Sequence, residues 1–180
     1  MSLTEQIYTW GMDRSIIKNS TPFAQAGKTL EEVGELLIAT TRWVTLTKLE
    51  DQTDAGIKTD AQIAFAEMSD AVGDIYVTLV MVAGCGELTL PAMPSDEMVD
   101  SYTDDPIRIC TSLLDSCHSL CQYSVFDTKT ALANVITDMI SLLSDFCFVT
   151  DMSPVDCISD AYEVIKHRKG TLTADGVFVK

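Results

Sequence analysis

The chain has 180 residues, 47% of them hydrophobic, and its 12 basic and 27 acidic side chains give a formal charge of −15. This length and apolar content predict one globular domain with its own core. Since binding to a nucleic-acid backbone or an anionic membrane surface needs clustered lysine and arginine, the charge argues against both kinds of partner. The longest weakly polar run, Ile75 to Gly86, is too short to span a bilayer. The N-terminus does not resemble a signal peptide, so we expect a soluble, cytoplasmic protein.

Capping residues and prolines divide the chain into helices, and alternating runs of β-branched residues are nearly absent, which predicts an all-α fold. A polar loop is predicted from Glu50 to Asp60, and the second long helix follows it and ends at Ala83. The other predicted helices run from Thr4 to Ile17, from Pro22 to Leu49, from Pro106 to Tyr123, from Lys129 to Phe148 and from Pro154 to Lys169. The apolar stripe of the first long helix is predicted at Phe23, Ala26, Leu30, Val33, Leu37 and Val44. Asp175-Gly176 predicts a small hairpin or a packed arm in the tail.

The six cysteines form no CxxC pair. Cys110, Cys117 and Cys121 recur at spacings of seven and four within an apolar-periodic segment, which is typical of the core side of a helix. We therefore expect buried free thiols, with zinc binding and disulfides as the alternatives.

The second long helix carries acidic residues in the middle of an otherwise apolar line. The line follows spacings of 4, 3, 4, 3 and 4 through Ile63, Glu67, Asp70, Asp74, Val77 and Met81. A second stripe around the same helix is wholly apolar, so most of the helix surface is expected to be buried. The three carboxylates would then face protein rather than water, which is costly unless a cation compensates them.

The first long helix carries a matching acidic pair. Glu32 and Glu35 are three positions apart and project to the same side, away from the apolar stripe. With Glu67 and Asp70 they can present four oxygen ligands between two facing helices. All-carboxylate coordination favours Mg²⁺ or Mn²⁺, and a di-iron site is not expected because neither histidine stands three residues after a glutamate. The pattern alone leaves a metal site and a solvated acidic face equally open.

At these residues the sequence resembles the all-α nucleotide pyrophosphohydrolases, the superfamily of MazG, dimeric dUTPase and dCTPase. Their motif, EExxE followed by ExxD, stands here as Glu31-Glu32-Val33-Gly34-Glu35 and Glu67-Met68-Ser69-Asp70. The resemblance to bacterial and phage MazG-like proteins extends over residues 1 to 90 and over the basic ending, 154 to 180.

The resemblance implies Mg²⁺-dependent hydrolysis of a nucleoside triphosphate to the monophosphate and pyrophosphate. Glu32, Glu35, Glu67 and Asp70 would hold the cation, and Glu31 would orient or deprotonate the attacking water. The residues that would contact the nucleotide are Lys28, Asn19, Asp74, Lys166, Arg168 and Lys169. The last three can instead supply favourable charge at a helix C-terminus, and Asn19 can be a cap or turn residue. Asp74 can contact the base or sugar or can lie behind the cation ligands.

The segment between the second long helix and the basic ending departs from small MazG-like proteins and is interpreted as a degenerate second copy. An offset of 64 places the apolar residues of the second long helix over apolar residues, whereas Glu67 and Asp70 fall over Ala131 and Asn134. An offset of 83 places Leu30 over Leu113. The interpretation predicts an intact metal-binding half at 1–93 and a degenerate half at 94–180, arranged as a pseudo-dimer around a four-helix core.

Three further points stay open at the level of sequence. The fused chain can be a monomer or can pair again as a homodimer. The rival function, from another class, is a non-catalytic helical module whose acidic face meets a partner. Neither the preferred base nor a housekeeping, dUTP, dCTP or alarmone role follows from the residues.

Overall fold

The computed structural model describes residues 1–49, 55–95, 104–126, 128–173 and 178–179, and over these residues the protein is all-α, as predicted. The described helices are α1 (Leu3–Asp13), α2 (Ile16–Asn19), α3 (Pro22–Thr47), α4 (Ala55–Cys85), α5 (Pro106–Val125), α6 (Lys129–Thr150) and α7 (Pro154–Ile165). Two short strands, β1 (Thr171–Leu172) and β2 (Phe178–Val179), pair antiparallel. The predicted tail hairpin is therefore confirmed, while its Asp175-Gly176 turn lies outside the described residues.

Helices α3, α5 and α7 begin where the caps predict. The Thr21 hydroxyl accepts a hydrogen bond from the Ala24 N–H at 3.1 Å, and Pro22 occupies the first turn of α3. Asp105 caps α5 in the same way, through the N–H of Ile107 at 3.0 Å. These bonds satisfy amide groups that have no partner within the helix, so each helix start is set locally.

Three helix boundaries differ from the prediction. The single helix from Thr4 to Ile17 is wrong, because Ser15 adopts a left-handed conformation, with φ of 60°, and separates α1 from α2. Helix α4 begins at Ala55, inside the predicted loop. Helix α7 ends at Ile165 rather than Lys169, since the Arg168 N–H bonds the Ile165 carbonyl in a closing turn.

Helix α4 lies at the centre of the fold, in contact with α1, α2, α3, α6 and α7. Helix α3 also packs on α5, which packs on α6. The approach of α7 to α4 is especially close: a Cβ added at Gly73 would lie 2.4 Å from the Cys157 carbonyl oxygen and 2.6 Å from the Ala161 Cβ. Glycine at position 73 therefore allows α7 to pack closely against α4, because it has no side chain.

The buried face of α3 is displaced from the predicted stripe. Ala26 and Val33 are buried as expected, but Phe23 and Leu30 are 52% and 43% exposed. The buried face instead includes the threonines 29 and 40, whose hydroxyls donate to the carbonyls one turn before them. Because those bonds satisfy the hydroxyls inside the helix, threonine can occupy core positions that a hydropathy pattern assigns to leucine.

The two offsets of the proposed internal repeat pair residues of one half with residues of the other, and only one of the offsets pairs residues that are equally buried. The residues that the 64-residue offset superposes are all buried: Val72, Ile75, Tyr76, Leu79 and Val82 in α4, and Ile136, Met139, Ile140, Leu143 and Phe146 in α6. The 83-residue offset pairs the exposed Leu30 with Leu113, which is fully buried. The tandem arrangement stays a prediction.

All six cysteines are free, as predicted. Four are buried, and Cys85 and Cys121 are half-buried. Burial raises the pKa of Cys117 to about 12, so this thiol stays protonated at neutral pH.

By length and composition alone, α4 and α6 could each cross a membrane. In α4, however, 67% of the most apolar window is buried within the fold. Because the core helix of a soluble protein passes the same test, the expectation of no membrane partner stays a prediction.

Candidate functional site

A cleft of about 290 Å³ lies where α3 and α4 meet the N-terminal helices and the segment after α7. It is lined by Trp10, Ile16, Gln25, Lys28, Glu32, Glu35, Asp74, Val77, Thr78, Met81, Ile165 and Arg168. The lining combines apolar side chains with five ionisable ones. Three of the ionisable residues are in α3, and the others are Asp74 in α4 and Arg168 after α7. The cleft brings together side chains from the beginning, the middle and the end of the chain.

Three carboxylates converge in this cleft. Glu32 is half-buried, and Asp74 and Glu35 lie close enough to repel its charge. The pKa of Glu32 is raised from 4.5 to about 7, chiefly by loss of hydration and also by the charges of Asp74, Glu35 and Glu31, while Lys28 opposes the shift. The cleft therefore concentrates negative charge around one carboxylate that is poorly hydrated.

Two cationic side chains line the same cleft. Lys28 forms an ion pair with Glu31, one turn along α3. Arg168 enters from the segment after α7, and its backbone carbonyl accepts a hydrogen bond from the Arg14 Nε at 3.0 Å. The Nε of Arg168 is itself buried and has no hydrogen-bond partner among the described residues. A buried donor in this state is costly unless a ligand or water accepts from it.

The other two predicted ligands line a neighbouring cavity. This cavity, of about 300 Å³, is bounded by Glu35, Ile38, Ala39, Glu67 and Asp70. Arg42 donates to both carboxylate oxygens of Glu67 at 3.1 and 3.2 Å. Glu35 lines both cavities and so stands between the Glu32–Asp74 group and the Glu67–Asp70 group.

All three carboxylates of the acidic line in α4 were predicted to be buried, and the prediction holds only for the last of them. Glu67 and Asp70 are exposed, whereas Asp74 is half-buried. Burial of α4 becomes nearly continuous from Ala71 onward, where α7 covers the helix at Gly73. The expectation that Glu67 and Asp70 face protein is therefore wrong, because α7 covers a different side of α4 there, where its Cys157 thiol meets the Ser69 hydroxyl at 3.2 Å.

Four predicted site residues lie outside both cavities. Glu31 is exposed and paired with Lys28, and Lys166 is paired with Glu163. Asn19, the last residue of α2, is exposed, and so is Lys169, which follows α7. Of the basic ending, only Arg168 reaches the cleft among the residues that the structure describes.

Two polar cleft residues were missed by the sequence analysis. Gln25 is buried, and its Nε2 donates to the Ser20 hydroxyl at 2.8 Å. Thr78 lies one turn after Asp74. The signal for Gln25 was available, since positions 25, 28, 32 and 35 follow spacings of 3, 4 and 3 and so share one side of α3.

A site for Mg²⁺ or Mn²⁺ needs several oxygen ligands around one position. Within the described part of the chain, no three His, Cys, Asp or Glu side chains stand close enough together to hold a metal ion. The chemistry nevertheless fits Mg²⁺ or Mn²⁺, because the converging donors are carboxylate oxygens and the negative charge around Glu32 exceeds the neighbouring positive charge. Glu32, Glu35 and Asp74 are the carboxylates that converge there.

The raised pKa of Glu32 predicts a measurable pH dependence of stability. The folded chain holds the Glu32 proton more tightly than the unfolded chain, so this stabilisation is complete below pH 4.5 and is lost as pH rises through 7. In metal-free buffer, Glu32→Gln should therefore gain stability over the parent as pH rises, by about 1–2 kcal/mol after allowance for solvent screening. Urea unfolding across this pH range measures the effect.

Glu87→Gln is the matched control, since Glu87 is an exposed carboxylate paired with Lys129 outside both cavities. A pH trend of the same size in both variants would show that net charge, rather than the setting of Glu32, is responsible.

Comparison of the chain with protein-family models, with curated proteins and with solved structures finds no match. The resemblance to nucleotide pyrophosphohydrolases therefore depends on the EExxE and ExxD motifs and on the basic ending, and the activity that it implies is a proposal.

Proposed function

We propose that the protein is an Mg²⁺-dependent nucleoside triphosphate pyrophosphohydrolase that converts (d)NTPs to the monophosphates and pyrophosphate. The observation that carries the proposal is the cleft that Glu32, Glu35 and Asp74 line together with Arg168. A polyphosphate needs cations to approach carboxylates and a basic side chain to contact its own oxygens. This cleft is lined by both kinds of group.

Arg168 has the contacts expected of a phosphate-binding residue. Its backbone is held to α1 through Arg14, while the Nε of its guanidinium is buried and finds no hydrogen-bond partner in the described part of the chain. Arginine donors match phosphate oxygens in geometry and charge. Lys28 supplies a second positive charge on the α3 side of the cleft.

The carboxylates have separate roles in this proposal. Glu32 and Glu35 would hold the cation with Asp74 beside them, and Glu67 and Asp70 complete the set that the motif implies. Bound Mg²⁺ neutralises phosphate charge and lowers the pKa of a coordinated water. Glu31, which lies outside both cavities, would have to leave its ion pair with Lys28 in order to accept the proton of the attacking water as the bond between the α and β phosphates breaks.

The direct test is release of monophosphate and pyrophosphate from the common NTPs, the dNTPs and dUTP, with Mg²⁺ and with EDTA. We expect pyrophosphate release that requires the metal, and the relative rates would rank the bases. Release of inorganic phosphate instead of pyrophosphate would contradict the proposed bond cleavage. No hydrolysis of any nucleotide, including modified ones, would favour the rival function.

The rival is a non-catalytic helical module, and one observation favours it. Arg42 already neutralises Glu67 through two hydrogen bonds, as in a structural ion pair. Thermal unfolding with and without millimolar Mg²⁺ separates the two functions. A formed cation site should raise the unfolding temperature progressively as the Mg²⁺ concentration exceeds the Kd of the site, whereas a solvated acidic surface should not respond specifically to Mg²⁺.

A further inference from the structure

Two of the six cysteines meet at the corner between α6 and α7. Cys147 lies in the last turn of α6 and Cys157 at the end of the first turn of α7. The Cys147 thiol donates a hydrogen bond to the Cys157 sulfur, so the two sulfur atoms are in contact. Contact between sulfurs on two different helices is the first requirement for a disulfide, whose S–S bond is about 2.05 Å long.

The Cys157 sulfur has a second polar partner, on α4. The Ser69 hydroxyl donates to it at 3.2 Å. Ser69 is half-buried and Cys157 is 4% exposed, whereas Cys147 is fully buried. Cys157 therefore lies just below the protein surface, where a small local opening admits a molecule of the size of hydrogen peroxide.

The contacts of Cys157 favour its thiolate. Hydrogen bonds from Cys147 and Ser69 hold the pKa of Cys157 below its usual value, against the opposing effect of burial. The first turn of a helix adds to this effect, because its free N–H groups attract negative charge. Since the thiolate is the nucleophilic form of cysteine, Cys157 is the attacking member of the pair and Cys147 the resolving one.

The other four cysteines lack this setting. Cys117 and Cys121 are one turn apart on α5, but burial raises the pKa of both. Burial also raises the pKa of Cys85 and of Cys110 to about 11. These thiols stay protonated at neutral pH and react slowly with oxidants. Oxidation is therefore expected to begin at Cys157.

We propose that Cys147 and Cys157 are a redox pair, which a hydroperoxide converts to a disulfide between α6 and α7. The Cys157 thiolate attacks one oxygen of hydrogen peroxide, the O–O bond breaks, and Cys157 sulfenic acid and hydroxide are formed. The Cys147 sulfur then attacks the sulfenic sulfur, the S–O bond breaks, and the departing hydroxide takes the Cys147 proton as water. Counted from two thiols, two electrons and two protons pass to one peroxide, which becomes two molecules of water.

The disulfide would join helices that pack on different partners. Helix α6 packs chiefly on α5, and α7 packs chiefly on α4. Neither cysteine lines the cleft or the neighbouring cavity. The inference therefore does not depend on the proposed activity, and each can fail without the other.

The test is the number of free thiols in the full chain, counted with dithionitrobenzoate in denaturant before and after exposure to hydrogen peroxide at neutral pH. We expect a fall from six to four, because one disulfide consumes two of the six free thiols. A peptide map without reductant should show Cys147 linked to Cys157, and dithiothreitol should restore all six thiols.

Two variants separate the roles of the pair. Cys147→Ser should stop at the sulfenic acid of Cys157, which dimedone traps, whereas Cys157→Ser should form neither the sulfenic acid nor the disulfide. Cys121→Ser is the matched control, because it removes a half-buried thiol outside the pair and should still lose two thiols.

The parent chain alone can refute the inference. It would be overturned by a parent that keeps all six thiols in peroxide sufficient to oxidise free glutathione. It would equally be overturned by a peptide map in which other cysteines, or cysteines of two chains, are linked.

Discussion

Glu35→Gln is expected to lower the rate of Mg²⁺-dependent pyrophosphate release by about 100-fold or more. Glu35 lines both the cleft with Glu32 and Asp74 and the neighbouring cavity with Glu67 and Asp70. Glutamine keeps the size of the side chain and removes the charge that a divalent cation requires. The loss should be accompanied by a smaller stabilisation by Mg²⁺ in thermal unfolding, while the helical content stays that of the parent.

Glu87→Gln again supplies the control, because it removes one exposed carboxylate from the same protein without touching either cavity. It should retain the rate and the Mg²⁺ response of the parent. Full activity of Glu35→Gln would refute the assignment of Glu35 to the cation, and equal losses in both variants would point to net charge.

Gly73→Ala is expected to destabilise the fold by about 1–3 kcal/mol, which corresponds to roughly 2–4 °C of unfolding temperature per kcal/mol. The new Cβ would lie 2.4 Å from the Cys157 carbonyl oxygen and 2.6 Å from the Ala161 Cβ. Both belong to α7, so the clash can be relieved only by moving that helix away from α4. Since α7 leads to Arg168, the same change should also raise the KM for the nucleotide.

Gly27→Ala is the matched substitution, since it is also in a long helix and its added Cβ has nothing within 4 Å. There the change should stabilise the protein by about 0.5–1 kcal/mol through helix propensity. Urea unfolding of the two variants compares them directly. A Gly73→Ala protein as stable as Gly27→Ala would show that α7 does not pack on α4 as closely as described.

The acidic residues of α3 and α4 illustrate how far a local pattern predicts a site. Spacing correctly assigned Glu32 and Glu35 to one side of α3, because residues three apart share a helix face wherever the helix lies. It did not predict that Asp74 rather than Glu67 would line the cleft with Glu32. That choice depends on where α3 and α4 cross and on where other helices cover α4.

By itself, the sequence determined the helices. The caps at Thr21, Asp105 and Ser153 and the apolar periodicity act within one or two turns, so they can be identified without tertiary contacts. The cysteine spacings, which include no CxxC pair, also predicted thiols that form no disulfide, and none of the six cysteines forms one. The left-handed Ser15, by contrast, has no strong local signal and splits a segment that its pattern assigned to one helix.

Only the tertiary structure decided which side chains share a cavity. Arg168 reaches the cleft because α7 crosses α4 at Gly73 and the following segment is held by Arg14. It also decided that Phe23, Leu30 and Ile38 stay outside the core, since α4 and α5 cover a different face of α3. These outcomes depend on contacts between residues far apart in the chain, where shape and close packing select among helix arrangements that the same apolar pattern permits.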